Sequence, residues 1–186
     1  MNGAPSYRKW AITFSTGIMI FLANVDVTIV NLGLPSIGHQ FNANLSQLQW
    51  ILTSYLIATF IFFIMGGRLA DMYGKKRIFL LGTALFTIGC LGAALSPNIL
   101  FLDLMRFIQG VGFAFTLSLA ILINAEAFPK HQQGLSVGIS VTITGIAQAV
   151  GPTLGGIILE WANWRYLFGY ACPLGILSLL LTYVYV

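Results

Sequence analysis

Charge is scarce in this 186-residue chain. Nine Lys or Arg and five Asp or Glu make up 8% of it, whereas a soluble domain carries about a quarter. So few charges cannot cover a water-facing surface. An ordinary soluble enzyme and a disordered chain are both excluded. Two cysteines are too few for a disulfide-stapled secreted domain. Cys90 and Cys172 fall in different apolar runs and read as small hydrophobes. His39 and His131 fall in loops on opposite sides of a membrane, so they cannot share a metal, and no metal site is expected. There is no P-loop, hence no internal nucleotide motor. No small-x-small cleavage site follows the first apolar run, which is read as a retained helix rather than a signal peptide.

What is abundant is apolar side chain: 58% of the residues, with a mean hydropathy of +0.87. One membrane crossing needs about 20 apolar residues. The runs Trp10–Leu34, Trp50–Ala70, Ile78–Leu95, Ile99–Ile123, Leu135–Leu159 and Tyr166–Val186 each suffice. They are far longer than the roughly 10-residue strands of a membrane barrel. The expected fold is an all-α integral membrane protein, a six-transmembrane-helix bundle occupying 1–186 as one domain. Arg8, Lys9, Arg68, Lys75, Lys76, Arg77 and Lys130 fall on one side of this threading, and Arg165 alone on the other. The first outer loop, Ser36 to Gln49, has no Lys, Arg, Asp or Glu. Lys and Arg stay preferentially in the cytoplasm, so both termini are expected there, in a multi-pass cell (inner) membrane protein. The net charge of +4 then reflects topology, and no nucleic-acid partner is needed. Asn44-Leu45-Ser46 is a glycosylation triplet, meaningful only on a eukaryotic secretory route.

Ionisable groups inside a span are costly and need a reason. Asp26 lies about 24 Å along the first helix from Trp10. Gly17, Asn24, Asn31 and Gly38 recur every seven residues as a small or polar stripe, and Asp26 points nearly opposite to it. It either presents a carboxylate to a cavity, or it caps a kink near Pro35 or sits at the outer interface. Arg106 lies about two turns into the fourth span. Asp103, Arg106, Gln109 and Gly110 share a helix face. Either Asp103 pairs with Arg106 and lets it snorkel outward, or Arg106 faces the bundle interior and meets an acid or a substrate. In the fifth span Pro152 removes a backbone donor, and Gly151 and Gly155 permit close helix contact. Gly134-Leu135-Ser136-Val137-Gly138 has the hydrolase-elbow spacing. It opens a helix rather than following a strand, no His is placed to activate Ser136, and no enzyme activity is expected.

Together these landmarks resemble the major facilitator superfamily, most closely its fourteen-helix branch of drug–proton antiporters. Asp26-Val27-Thr28-Ile29-Val30-Asn31 with Leu34-Pro35 is similar to that branch's first-helix motif. Gly67-Arg68-Leu69-Ala70-Asp71-Met72-Tyr73-Gly74-Lys75-Lys76-Arg77 resembles the loop between helices two and three. Arg106, Gln109, Gly110 and Gly112 resemble the fourth-helix motif, and Gly151-Pro152 with Gly155-Gly156 the fifth-helix antiporter motif. Trp164-Arg165-Tyr166-Leu167-Phe168, with Pro173 and Gly175, is similar to the start of helix six. Met72, Phe113, Ala147 and Ala171 depart from the usual pattern.

The resemblance implies the N-terminal half of a proton-coupled efflux transporter for drugs or other small molecules, with a lipophilic, cationic substrate favoured. It needs no cofactor beyond a proton gradient, and its partner is the lipid bilayer. Asp26 would carry or sense the proton and Arg106 would tune its acidity. Asn31, Gln109, Gly110 and Phe113 would border the substrate pathway. Gly67, Asp71, Gly74, Lys75, Lys76 and Arg77 would form a cytoplasmic gate, and Lys75, Lys76 and Arg77 also suit anionic headgroups. Gly151, Pro152, Gly155 and Gly156 would form a bend packed against a second half. That C-terminal half, or a second copy, is expected to complete the pathway. A facilitator of a sugar, siderophore or metabolite, and a non-transporting regulatory or assembly subunit, are the alternatives.

Overall fold

Residues 6–186 are described in the computed structural model; the side chain of Arg8, expected at the basic end, lies outside what is described. Helix α1 runs Ser6–Phe41, α2 Leu45–Tyr73, α3 Lys75–Ala94, α4 Ile99–Ala127, α5 Gln133–Trp161, α6 Tyr166–Gly169 and α7 Ala171–Tyr185. A 3₁₀ turn, Lys130–Gln132, leads into α5. Counting α6 with α7, six helical stretches among the described residues are long and apolar enough to cross a membrane. Two helices outrun their apolar spans across the first connection, α1 forward to Phe41 and α2 back to Leu45, where Asn44 caps it.

The long loop expected at Ser36–Gln49 is therefore not there. Helix α1 continues through Pro35 to Phe41. Asn42 turns the chain with φ 48°. Asn44 then caps α2: its side chain accepts from the Gln47 N–H at 2.9 Å, while Gln47 Oε1 accepts from the Asn44 N–H at 3.0 Å. This reciprocal box satisfies two helix-end donors. Asn98 opens α4 with a one-way cap, its side chain accepting from the Phe101 N–H at 2.9 Å. Between α2 and α3 the break falls at Gly74, whose φ of 94° suits glycine.

Helix α1 packs on α5, α7 and α4; α4 packs on α2, α3 and α1; α3 packs on α7. Exchanging the first three membrane helices for the last three maps α1–α5 onto α4–α2, and α1–α7 onto α4–α3. Three is odd, so the exchanged helices run in opposite directions across the membrane. These equivalent contacts are the pattern an inverted three-plus-three repeat would give. Helices α1 and α4 form the buried centre, while α2 and α5 lie largely open.

Close approach at the centre depends on missing side chains. A Cβ on Gly110 would strike the Tyr55 carbonyl, and one on Gly112 would strike the Phe86 backbone. Bilayers offer little hydrophobic drive between helices, so such backbone proximity supplies the packing. At the end bearing both termini, Lys9 donates to Gln132 Oε1 at 3.2 Å and Lys76 to the Tyr183 carbonyl at 2.8 Å. The basic residues therefore tie the chain's connections together at that end.

Candidate functional site

Asp26 and Arg106 meet in the middle of the bundle. Arg106 Nη1 donates to Asp26 Oδ2 at 2.7 Å, and both side chains are 1% exposed. Gln109 completes a ring: its Oε1 accepts from Arg106 Nη1 at 2.7 Å, and its Nε2 donates to Asp26 Oδ1 at 2.8 Å. The same amide reaches Cys90 Sγ of α3 at 3.0 Å. Arg106 Nε donates to the Ile51 carbonyl of α2 at 3.3 Å. Its guanidinium carbon sits 4.2 Å from the Tyr55 ring centroid and 5.8 Å from that of Phe168. Helices α1, α2, α3 and α4 and the short α6 thus build one polar nucleus.

The helical spacing of Arg106 and Gln109 puts both on one face of α4, three residues apart. Burying an ion pair is sustained only when the remaining donors and acceptors also find partners, and the Gln109 amide and the Ile51 carbonyl do this. Of the two sequence readings of Arg106, the structure selects the interior one. Asp103 does not pair with Arg106, and its Oδ1 has no hydrogen-bond partner. Asp26 is not open to a cavity in this conformation, because Arg106 and Gln109 occupy both its oxygens.

The expected pathway residues separate. Asn31 is exposed on α1. Gln109, Gly110 and Phe113 lie inside the bundle rather than on an open wall. Gln109 is held by the ion pair, Gly110 lets α4 touch α2 at Tyr55, and Phe113 stacks on Tyr55 with centroids 5.6 Å apart.

The expected gate divides as well. Lys75 pairs with Glu126 at the end of α4, and Lys76 lies over the Tyr183 ring at 5.5 Å. Asp71 and Arg77 are exposed, and Asp71 has no ion pair among the described residues. Gly67 has open space around it, and Gly74 serves the turn. On α5, Gly151 and Gly155 face α1. A Cβ on Gly151 would run into Thr28 Oγ1, and one on Gly155 would lie 2.8 Å from Ile29 Cγ1. Pro152 and Gly156, each about 100° further round the helix, are exposed.

The sequence profile of the Major Facilitator Superfamily matches residues 16–186. The chain belongs to the major facilitator superfamily. It is similar to the riboflavin transporter RibZ of Clostridioides difficile, with 35% identity over 94% of this chain and 38% of that protein. It is similar to the multidrug resistance protein Stp of Mycobacterium tuberculosis, with 36% identity over 92% of this chain and 32% of that one. The lincomycin resistance protein of Streptomyces lincolnensis is 35% identical over 93% of this chain and 36% of its own length. The chain thus spans about a third of the length of these relatives. Among solved structures it is similar to the proton:xylose symporter XylE, with a TM-score of 0.85, 21% identity and coverage of 97% of this chain and 45% of that one.

This six-helix bundle has the fold of the N-terminal half of a major-facilitator protein. Ser136, the residue with hydrolase-like spacing, is buried near the start of α5. Sequence reading missed Tyr55, Cys90 and Phe168 at the nucleus, because aromatic and thiol side chains in a span carry no signal of their own. It also missed a second buried network. Thr16 donates to Asn124 Oδ1 at 2.9 Å, and Asn124 Nδ2 donates to Ser140 Oγ at 3.1 Å, joining α1, α4 and α5. Asn124, a buried amide within an apolar span, was the available clue.

Proposed function

We propose that this chain forms the N-terminal bundle of a proton-coupled antiporter that expels drugs or other small molecules across the cell membrane. The observation that carries the reading is the Asp26–Arg106–Gln109 ring. An acid buried at membrane depth and held by a guanidinium is expensive and therefore functional by default. Two relatives named for drug or antibiotic resistance support the cargo class.

In this reading Asp26 exchanges a proton for cargo. Protonation removes the charge that Arg106 answers, which frees α1 to shift against α4. Cargo release and proton uptake are thereby linked through one side chain. A second bundle, from another segment or a second copy, faces the open sides of α2 and α5 and completes the pathway. The basic end carries both termini and lies in the cytoplasm, where Lys75, Lys76, Arg77 and Asp71 serve the gate. The resemblance to RibZ favours a second cargo reading, a metabolite such as the riboflavin for which that relative is named.

The test is proton-driven transport by the protein and its Asp26→Asn variant in proteoliposomes. Loss of pH-gradient-driven flux in the variant is expected. Undiminished flux would remove the role given to Asp26. Proton release on adding a lipophilic cation or riboflavin separates the two cargo readings.

A further inference from the structure

A carboxylate in a buried ion pair accepts a proton only if its abandoned partner is still stabilised, because a lone buried charge is strongly disfavoured. When a proton from water forms an O–H bond on Asp26, the Arg106–Asp26 ion pair is lost and Arg106 keeps both its proton and its charge. Its remaining partners are neutral: Gln109 Oε1 at 2.7 Å, the Ile51 carbonyl at 3.3 Å, the Tyr55 ring at 4.2 Å and the Phe168 ring at 5.8 Å. A ring face attracts a desolvated cation most strongly, and it attracts an unpaired guanidinium more than one neutralised by a carboxylate. Tyr55 is 2% exposed, and its ring is braced by the stacked Phe113.

We propose that Tyr55 is a positioning residue for Arg106: its ring face holds the guanidinium while Asp26 is protonated, and so lets the buried acid exchange its proton. This rests on the proton-coupling role of Asp26. The other titratable groups around the pair are Cys90 on α3, Tyr170 just before α7 and Cys172 in α7. Asp103 on α4 makes no bond to the pair, and α5 has no titratable side chain before Glu160.

The experiment follows the infrared carboxyl band of Asp26 against pH in the purified, bilayer-embedded protein, with Asp26→Asn identifying the band. Tyr55→Phe keeps the ring and should leave the midpoint in place. Stepwise fluorinated phenylalanines at position 55 keep the shape and draw electron density off the face. They should move the midpoint progressively to the acid side, by about half a pH unit or more in total. The sign follows because weakening the face raises the energy of the state with protonated Asp26 and an unpaired Arg106. A midpoint unchanged across the fluorinated series overturns the proposal. So does a shift in Tyr55→Phe to which fluorination adds nothing, since that assigns the effect to the hydroxyl. If no Asp26 band titrates in the unmodified protein, the proton-coupling reading itself fails and takes the proposal with it. Transport measured beside the titration separates the cases: loss in Asp26→Asn with a flat fluorinated series leaves that reading standing and sinks only the role of Tyr55.

Discussion

Arg106 reaches from α4 to Asp26 on α1, and both side chains are buried. Their 2.7 Å bond joins the two most buried helices of the bundle. Removing one partner strands the other, so Arg106→Gln should destabilise the bundle by about 3–5 kcal/mol. The double variant Asp26→Asn with Arg106→Gln should be less damaged than Arg106→Gln alone, because neither charge is left unpaired. Thermal unfolding of the four proteins in one detergent gives the coupling directly. A double variant as unstable as the sum of the singles contradicts the pairing.

Gly151 and Gly156 of α5 should behave oppositely. Gly151→Ala places a methyl against Thr28 Oγ1 and should lower stability by about 1–3 kcal/mol. Adding Thr28→Ala removes that oxygen and should restore part of the loss. Gly156→Ala meets nothing within 4 Å, so the bundle's own melting temperature should hold or rise slightly. A transport defect in Gly156→Ala without loss of stability would point to a second bundle on this face.

Asn44 makes a structural use of a residue that the sequence marks only as a glycosylation triplet. Its carbonyl oxygen closes the capping box with Gln47. Asn44→Ala should cost about 1 kcal/mol, and Asn44→Ser or Asn44→Asp should cost less. Hydrogen exchange of the first α2 turn measures this, and unchanged protection in Asn44→Ala would show that the cap contributes nothing.

The Lys75–Glu126 pair is partly exposed, with side chains 33% and 52% accessible. Its coupling energy in a double-variant cycle should be about 0.2–1 kcal/mol and should fall as salt is added. A large, salt-independent coupling would mean that this pair is shielded by another part of the transporter.

Much of the fold was legible in composition and periodicity. Six spans, their order and the one-sided basic residues follow from the cost of placing polar groups in lipid, a constraint that acts locally along the chain. The motif residues could be named from the sequence, since each depends on a short spacing along one helix. Arg106 with Gln109, and Gly151 with Gly155, are of this kind.

What only the tertiary structure decided is which face meets which. Sequence grounds left two readings of Arg106 open, a local pair with Asp103 three residues away and an acid met in the interior; Asp26 is eighty residues away. The crossing of α1 and α4 chose Asp26, because it brings that acid into the buried interior within hydrogen-bond reach of Arg106. Phe113 and Gln109 could not be told from pathway-lining residues until α2 and α3 closed over them. Tyr55 left no trace in the sequence, since an aromatic in an apolar helix becomes a cation's partner only when a distant strip of chain brings the cation to it. Local physical chemistry determined the helices and their threading. Long-range packing determined the polar nucleus, because hydrogen bonds and charges in a low-dielectric interior are settled by neighbours that the order of residues does not specify.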